Sequence, residues 1–201
     1  RRLAEEKHQR KREMAATLRN VLVSLARTAR ERGIRIASHD DDSPEQVAAA
    51  VELGASIAEF PVSEAALRAA RDAGLHIVMG APNLLRGRST SGNLSAAGAL
   101  RLGLLDSVCS DYYPAALLHT VAKLASGGLA DLPTAFRLVS LHPARALGLD
   151  GETGSLEAGK AADIVVIGER NGVPVITQTL HLGETVYVAN HKATRPACVT
   201  A

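Results

Sequence analysis

One imidazole and three carboxylates stand side by side in the stretch 39–42, which reads His-Asp-Asp-Asp. A histidine beside several carboxylates suits a divalent cation or an acid/base pair. The alternative interpretation is an acidic turn with a solvated histidine, because a single histidine is a weak signal by itself. The elements that position the stretch therefore matter as much as its residue types.

The stretch lies where a predicted strand passes into a predicted helix. Residues 34–38 favour the strand, and residues 44–53 favour the helix. Ser43 is a suitable N-cap, Pro44 stands at the first helical position, and Gln46 closes a capping box. In a βα barrel, side chains at such a junction lie on the catalytic face.

The same junction recurs along the chain. Further strands are predicted at 55–60, 75–80 and 106–110, with helices at 64–73 and near 95–103. Strands that alternate with helices are typical of βα units and a parallel sheet. Each predicted strand ends in polar or unusual residues, which predicts a shared active face at the carboxyl ends. These ends read His39-Asp40-Asp41, Glu59-Phe60-Pro61, Gly80-Ala81-Pro82-Asn83 and Ser110-Asp111-Tyr112-Tyr113.

Further helices flank these units. A long helix is predicted at 5–32, and two more are predicted at 115–126 and 133–140. Pro143 predicts a turn before 144–147. These helices supply the apolar faces that a sheet of this kind must pack against.

The pattern changes after Gly151, where short apolar runs separated by glycine turns predict a small β unit. We therefore predict an α/β chain: residues 1–150 form the carboxyl-terminal half of a TIM-type barrel, and residues 151–201 form a small β-sandwich portion. A closed barrel needs about 250 residues. We expect the missing barrel half to come from the same protein or from a second chain, because a half-barrel leaves open sheet edges.

Composition restricts the classes of partner. The chain has 201 residues, 46% hydrophobic and only 2% aromatic, so its core rests on aliphatic side chains. The net charge of +2 argues neither for nor against an anionic partner. Basic residues cluster near the start, but glutamates interrupt them and no aromatic residue accompanies them, which argues against nucleic acid. The chain lacks an apolar run long enough for a membrane span, and its cysteines lack a disulfide pattern, so we expect a cytoplasmic protein. A homo-oligomer is left open.

Two segments near the end resemble the amidohydrolase superfamily. They are 142–149, which reads HPARALGL, and 154–167, which reads GSLEAGKAADIVVI. Six ordered blocks further resemble one branch of that superfamily, the triphosphate diphosphatases of phosphonate metabolism. The blocks are ASHDD at 37–41, AEFP at 58–61, GAPN at 80–83, RG at 86–87, SGN at 91–93 and SDY at 110–112.

The resemblance implies a metal-dependent hydrolase of a phosphorylated sugar. It implies cleavage of a ribosyl 5-triphosphate to the 5-phosphate with release of diphosphate. It also implies a metal site with His39, Asp111, Glu59 and Asp40, in which Asp111 binds the cation or takes the proton from the attacking water. The expected cofactor is a divalent ion of the zinc or manganese type.

The loop after the third strand is the predicted phosphate-binding segment. Guanidinium groups bind phosphate oxygens bidentately, and hydroxyl and backbone N–H groups hold anions. Compared with the pattern of the resembling family, Arg88 replaces a glycine and Thr90 replaces a histidine. The candidate residues are Arg86, Arg88, Ser89, Ser91, Asn93 and Asn83.

Two alternatives remain open from the sequence. One is an amidohydrolase that acts on a C–N bond, such as a deacetylase or a cyclic amidase. The other is a non-catalytic remnant that binds a partner subunit or a phosphorylated ligand. The missing strands and the substitution at Thr90 favour the second alternative, whereas the arginine-bearing loop counts against the first.

Overall fold

A computed structural model describes residues 2–87, 94–189 and 195–200, with the backbone alone for 2–16 and 195–200. Within these residues the chain forms eight helices and eight strands. The helices are α1 (Arg2–Glu31), α2 (Pro44–Glu52), α3 (Glu64–Asp72), α4 (Ala81–Arg86), α5 (Ala96–Arg101), α6 (Ala116–Ser126), α7 (Leu132–Arg137) and α8 (Leu141–Leu147). The strands are β1 (Ile36–His39), β2 (Ala55–Glu59), β3 (His76–Gly80), β4 (Ser107–Cys109), β5 (Ile164–Arg170), β6 (Val173–His181), β7 (Glu184–Val188) and β8 (Arg195–Thr200).

The first sheet is parallel, with the strand order β1-β2-β3-β4. Helices connect consecutive strands, as parallel pairing requires. One face of the sheet is buried by its helices: Ala58, Ile77, Met79 and Val108 are at most 3% exposed. The protein therefore has an α/β fold with a parallel sheet, as the alternation of strands and helices predicts.

The second sheet is antiparallel, with the strand order β7-β6-β5-β8. Strands β5 and β6 form a hairpin through Asn171 and Gly172, which both have positive φ angles. An Asn-Gly pair is favoured at such a turn because both residues tolerate the left-handed region. Strand β8 lies beyond the short strands predicted from the sequence.

Local sequence signals explain most helix ends. The side-chain oxygen of Ser43 accepts a hydrogen bond from the N–H of Gln46, and Pro44 begins α2, as predicted. The amide oxygen of Gln46 accepts from the N–H of Asp42 rather than that of Ser43, so the predicted capping box is shifted by one residue. Gly54 follows α2 at φ +88°, where a side chain would be strained.

Three sequence predictions need correction. The first strand begins at Ile36 rather than at Ile34, because the Ile34 N–H still bonds to the Ala29 carbonyl at the end of α1. Pro143 lies inside α8 instead of forming a turn, since a proline in the first helical turn removes an N–H that has no helical acceptor. Residues 81–86 form α4 directly after β3, where the sequence predicts only a strand end.

Within the described residues, none of the helices is both long enough and apolar enough to cross a membrane.

Candidate active site at the carboxyl edge of the parallel sheet

Strand register places several polar side chains on one face of the parallel sheet. His39 pairs with Glu59, Glu59 with Val78, and Val78 with Ser107. Paired residues of parallel strands present their side chains to the same face, with neighbouring strands about 4.8 Å apart. His39 and Glu59 are therefore neighbours on the face that the helices leave uncovered.

The chain turns sharply after these strands. Asp40, Phe60 and Asp111 adopt φ angles of 59°, 56° and 52°, in the left-handed region. Non-glycine residues in this region cost about 1–3 kcal/mol each and cluster at functional sites. The turns are held by bonds from the N–H of Asp40 to the Glu59 carbonyl and from the N–H of Phe60 to the Val78 carbonyl. Three such turns at one edge mark it as a candidate active site.

Asp40 orients the His39 ring. Its Oδ2 lies 3.2 Å from His39 Nδ1, and both side chains are more than half exposed. A carboxylate at Nδ1 favours the tautomer that carries its proton there, which leaves the lone pair on Nε2 for a cation or a proton. Asp41 has a different role: it is buried, and its Oδ2 accepts a 2.6 Å hydrogen bond from Ser38 Oγ.

Phe60 and Asp111 both reach the end of β3 at Gly80. The Phe60 ring makes an edge-on contact with the His39 ring, with centroids 5.2 Å apart. A Cβ added at Gly80 would lie 3.6 Å from Phe60 Cε1 and 3.8 Å from Asp111 Oδ2. The ring and the carboxylate therefore face the same gap above β3, which the missing side chain of Gly80 keeps open.

Cys109 lies beside Gly80 in the register, on the same face as His39 and Glu59. Burial raises the pKa of its thiol, and the charges of Glu59 and Asp111 raise it further, against a hydrogen bond from the Asp111 N–H. The thiol is consequently protonated at neutral pH, so it is a poor nucleophile. These effects also show that Glu59 and Asp111 act on one small region of the edge.

Arg86 brings a positive charge to this edge. It ends α4, and its Nη1 donates a 2.6 Å hydrogen bond to the hydroxyl oxygen of Tyr112, the residue after Asp111. Asn83, also predicted to bind phosphate, instead uses its amide oxygen to accept from the N–H of Ala96 at the start of α5. The structure thus associates Arg86 with Asp111 through Tyr112, while it gives the Asn83 oxygen a structural partner.

The predicted metal ligands share one edge but are not gathered into one cluster. Asp111 follows β4 and is separated from Glu59 by β3, and His39 lies one strand further away. Imidazole and carboxylate groups are ligand types that bind zinc and manganese ions. Within the described part of the chain, however, no group of three or more His, Cys, Asp or Glu side chains is close enough to hold a metal ion. The chain therefore offers donors of the right kind without a complete ligand set.

Some predicted residues cannot be placed, and some site residues were not predicted. Predicted phosphate ligands in the loop after Gly87 lie outside the described residues; they are Arg88, Ser89, Ser91 and Asn93. Phe60 and Tyr112 were not among the predicted site residues, although each directly follows a residue that was. Their signal was position after a strand end rather than residue type.

An apolar groove lies elsewhere in the described part of the chain. A cavity of about 980 Å³ lies between helices α6–α8 and the antiparallel sheet, with Leu118, Phe136 and Ile176 among its lining residues. Its walls are mainly aliphatic and aromatic, whereas a triphosphate requires hydrogen-bond donors and positive charge. This groove is a packing surface rather than a site for a phosphorylated substrate.

Comparison with known sequences relates this chain to a protein family and to a curated enzyme. The profile of the amidohydrolase family matches residues 11–192. The chain is 41% identical over 166 residues to the alpha-D-ribose 1-methylphosphonate 5-triphosphate diphosphatase of Escherichia coli (strain K12). The aligned region covers 82% of this chain and 44% of that enzyme, so the chain spans less than half the length of this relative.

Solved structures share the fold at low sequence identity. N-acetylglucosamine-6-phosphate deacetylase from Pasteurella multocida matches with a TM-score of 0.61 and 16% identity, covering 81% of this chain and 53% of that protein. An adenosine deaminase from Xanthomonas campestris with bound zinc matches with a TM-score of 0.59 and 20% identity, covering 83% and 48%. At such identities the likeness establishes the fold alone.

Proposed function

We propose that this chain, which belongs to the amidohydrolase family, forms part of a metal-dependent phosphohydrolase. The proposed reaction cleaves alpha-D-ribose 1-methylphosphonate 5-triphosphate to the 5-phosphate and diphosphate, in phosphonate degradation. The observation that carries the proposal is the position of Arg86, whose guanidinium is tied to the residue that follows Asp111. This contact joins a cation suited to phosphate to the loop that carries Asp111, a carboxylate suited to accept a proton. Similarity to the E. coli diphosphatase supports the same reaction.

Asp111 is the proposed general base. One of its carboxylate oxygens lies next to Gly80 at the end of β3. Water adds to the α-phosphorus, the bond from that phosphorus to the bridging oxygen breaks, and diphosphate leaves with the bonding electrons. The proton of the water passes to Asp111. Because negative charge spreads over the transferred phosphoryl and the leaving group, Arg86 stabilises the transition state electrostatically.

We propose that His39 Nε2, Glu59 and Asp111 are metal ligands at this edge, with Asp40 orienting the His39 ring. In the described structure the three are not close enough to bind one ion together. A divalent zinc or manganese ion, when bound, neutralises phosphate charge and lowers the pKa of water. The described residues do not close a ligand set by themselves, so further ligands are expected from outside them. His39 and Asp40 already have the geometry of a histidine ligand with its supporting carboxylate.

The remaining ligands have a proposed source in the rest of a (β/α)8 barrel. Neither edge strand of the four-stranded parallel sheet pairs with a further strand within the described residues, and the chain covers 44% of the E. coli relative. We propose that residues 1–150 are the second half of that barrel and 151–201 part of a β-sandwich. The first half belongs to the same protein or to a second chain.

Replacing Asp111 tests the proposal. Here the full-length protein means residues 1–201 together with the proposed first half of the barrel. In that protein, Asp111→Asn is expected to lower kcat for the ribosyl triphosphate by about 100- to 10,000-fold, because the amide cannot accept the proton. Release of diphosphate is the measurement. Asp72→Asn, at the exposed end of α3, is the matched control and should retain wild-type turnover.

A substrate comparison separates this reaction from C–N bond hydrolysis. The wild-type protein is assayed with the ribosyl triphosphate, with an N-acetylated sugar phosphate and with a cyclic amide. Turnover of either C–N substrate without any release of diphosphate would overturn the proposed function. Wild-type turnover of the triphosphate by Asp111→Asn would instead overturn the role given to Asp111.

A further inference from the structure

Gly80 ends β3 in a backbone conformation that does not require glycine. Its φ and ψ angles are −76° and 132°, in the extended region that any residue adopts. A Cβ added there would meet its three nearest atoms at 3.6–3.8 Å, which is ordinary van der Waals contact. Gly154 shows the opposite case, because its φ is +90° and an added Cβ would lie 2.7 Å from the Cβ of Ala144. Neither backbone strain nor the space for a first carbon therefore explains the glycine at position 80.

Helix capping also favours a different residue at this position. Gly80 is the N-cap of α4, and no side chain caps that end of the helix. Serine is a better N-cap than glycine, and threonine is about as good as glycine. A glycine within a strand often marks a bulge, a bend or a close approach by a ligand or another backbone. Because β3 pairs with β4 without a register shift, close approach is the explanation that fits Gly80.

The atoms around Gly80 belong to the candidate active site. Gly80 lies two residues after Val78, which pairs with Glu59, so a side chain at position 80 would point to the same face of the sheet as Glu59. Its Cβ would lie 3.6 Å from Phe60 Cε1 and 3.8 Å from Asp111 Oδ2. A larger side chain would therefore add bulk directly beside the Asp111 carboxylate.

We propose that Gly80 is a positioning residue of this site, whose missing side chain keeps Asp111 Oδ2 open to the attacking water and the reacting phosphoryl group. The inference rests on the proposed function, in which Asp111 is the general base. A base must come within about 2.6–3.2 Å of the atom whose proton it takes. A side chain at position 80 competes for the space beside Oδ2, so it lowers kcat more than it raises KM.

A series of side chains of increasing size at position 80 tests the proposal in the full-length protein. For the ribosyl triphosphate, kcat is expected to fall from Gly80→Ala through Gly80→Ser to Gly80→Thr, by about 100-fold for the last. The midpoint of urea unfolding is expected to follow a different order, with Gly80→Ser and Gly80→Thr at or above the wild-type value and Gly80→Ala lowest. A merely structural role for Gly80 would instead make kcat follow the midpoint.

Gly151 provides the matched control. Its φ is not positive, and an added Cβ would have no atom within 4 Å. Gly151→Thr should therefore retain the wild-type kcat. Wild-type kcat for Gly80→Thr, or a loss of kcat that follows the urea midpoint, would overturn the role of Gly80.

A double variant gives a second readout. If Gly80 acts through Asp111, the combination of Gly80→Thr with Asp111→Asn should be about as slow as Asp111→Asn alone, because the two changes affect the same proton transfer. A full additional loss in the double variant would contradict the proposal.

The two proposals can fail separately. If the wild type and Gly80→Thr hydrolyse the triphosphate equally well, only the role of Gly80 is overturned. If the wild type hydrolyses a C–N substrate and not the triphosphate, the proposed reaction is overturned, and the same series is measured on that substrate. A loss that grows with side-chain size then supports the role of Gly80, and equal rates overturn it.

Discussion

At the amino end of the parallel sheet, opposite the candidate active site, a single aspartate joins three elements. Asp106 Oδ1 accepts a 2.8 Å bond from Arg71 of α3, and its Oδ2 accepts from the N–H of Ile77 in β3. The carbonyl oxygen of the same residue lies 2.8 Å from Nδ1 of His142 in α8. In a barrel, polar groups at this end belong to stability rather than to catalysis.

His76 makes this network sensitive to pH. Its Nε2 lies 2.6 Å from Ser107 Oγ, and burial lowers the pKa of the ring, with smaller opposing and reinforcing effects from Asp106, His142 and Arg71. Because the folded pKa lies below the unfolded one, stability is complete above about pH 6.5 and is lost as pH falls through that value towards the folded pKa.

Unfolding by urea between pH 5 and 8 checks this prediction. The free energy of unfolding of the full-length protein should fall on acidification, and the decrease should be smaller for His76→Gln, which cannot take up the proton. An identical slope in the two proteins would show that His76 does not contribute to the pH dependence.

Residue types predicted the candidate edge better than they predicted roles within it. His39, Glu59 and Asp111 were recognisable because each stands at the end of an apolar run, where parallel strands bring polar side chains to one edge. The position of Phe60 after a strand end was recognisable but its role was not, because that role depends on a ring contact with His39 on a neighbouring strand. The hydrogen bond from the Ala96 N–H to Asn83, thirteen residues away, could not be predicted either, because it forms only when α4 packs against α5.

The short helices of the parallel sheet depend on their first residues. Helices of six to nine residues gain little from intrinsic propensity, so caps and packing decide whether they form. Ser63 Oγ accepts from the N–H of Ala66 and also donates to the carbonyl of Asp42, which joins α3 to the turn after β1. Among the described residues, Ser95 Oγ makes only the capping bond, which it accepts from the N–H of Gly98.

These two caps give a matched pair of variants. Ser63→Ala and Ser95→Ala should each reduce the free energy of unfolding by about 1 kcal/mol through the lost cap. Ser63→Ala should cost about 1 kcal/mol more, because it also removes the bond to the turn after β1. Urea unfolding of the full-length protein measures both values. A smaller loss for Ser63→Ala than for Ser95→Ala would contradict this account.

Helix boundaries show which signals the sequence contains. Helices α2 and α3 follow a serine cap and precede a glycine at positive φ, so both ends were predicted within one residue. Helix α4 has neither a side-chain cap nor a gap after β3, and it was missed. Strand β8 was also missed, because its pairing with β5 is a contact that the sequence of either strand does not specify.

At the scale of the whole chain, apolar surface remains uncovered. Helix α1 exposes a stripe at helical spacing, with Leu18 at 57% and Leu25 at 60%. Strand β7 exposes Val186 and Val188, and the groove of about 980 Å³ lies beside the antiparallel sheet. Exposed apolar side chains grouped on one element in this way are typical of surfaces that contact further protein. It agrees with the proposal that the rest of a barrel and sandwich packs here.

A polypeptide restricted to residues 1–201 is therefore expected to be inactive. It should bind divalent metal weakly and should bind a hydrophobic dye more strongly than the full-length protein, because the same apolar surfaces are open. Metal titration, dye fluorescence and diphosphate release provide the measurements. Full turnover by residues 1–201 alone would contradict this expectation and would require a site completed between two copies of the chain.

The left-handed turn at Phe60 constrains how this edge can evolve. Glycine would relieve the backbone strain at φ 56°, so substitution there raises the stability of the turn while it removes the ring beside His39. Backbone stability thus favours glycine at position 60, whereas a ring beside His39 requires an aromatic residue there. A bulky aromatic residue at this position therefore places its ring beside His39 at the expense of a strained turn.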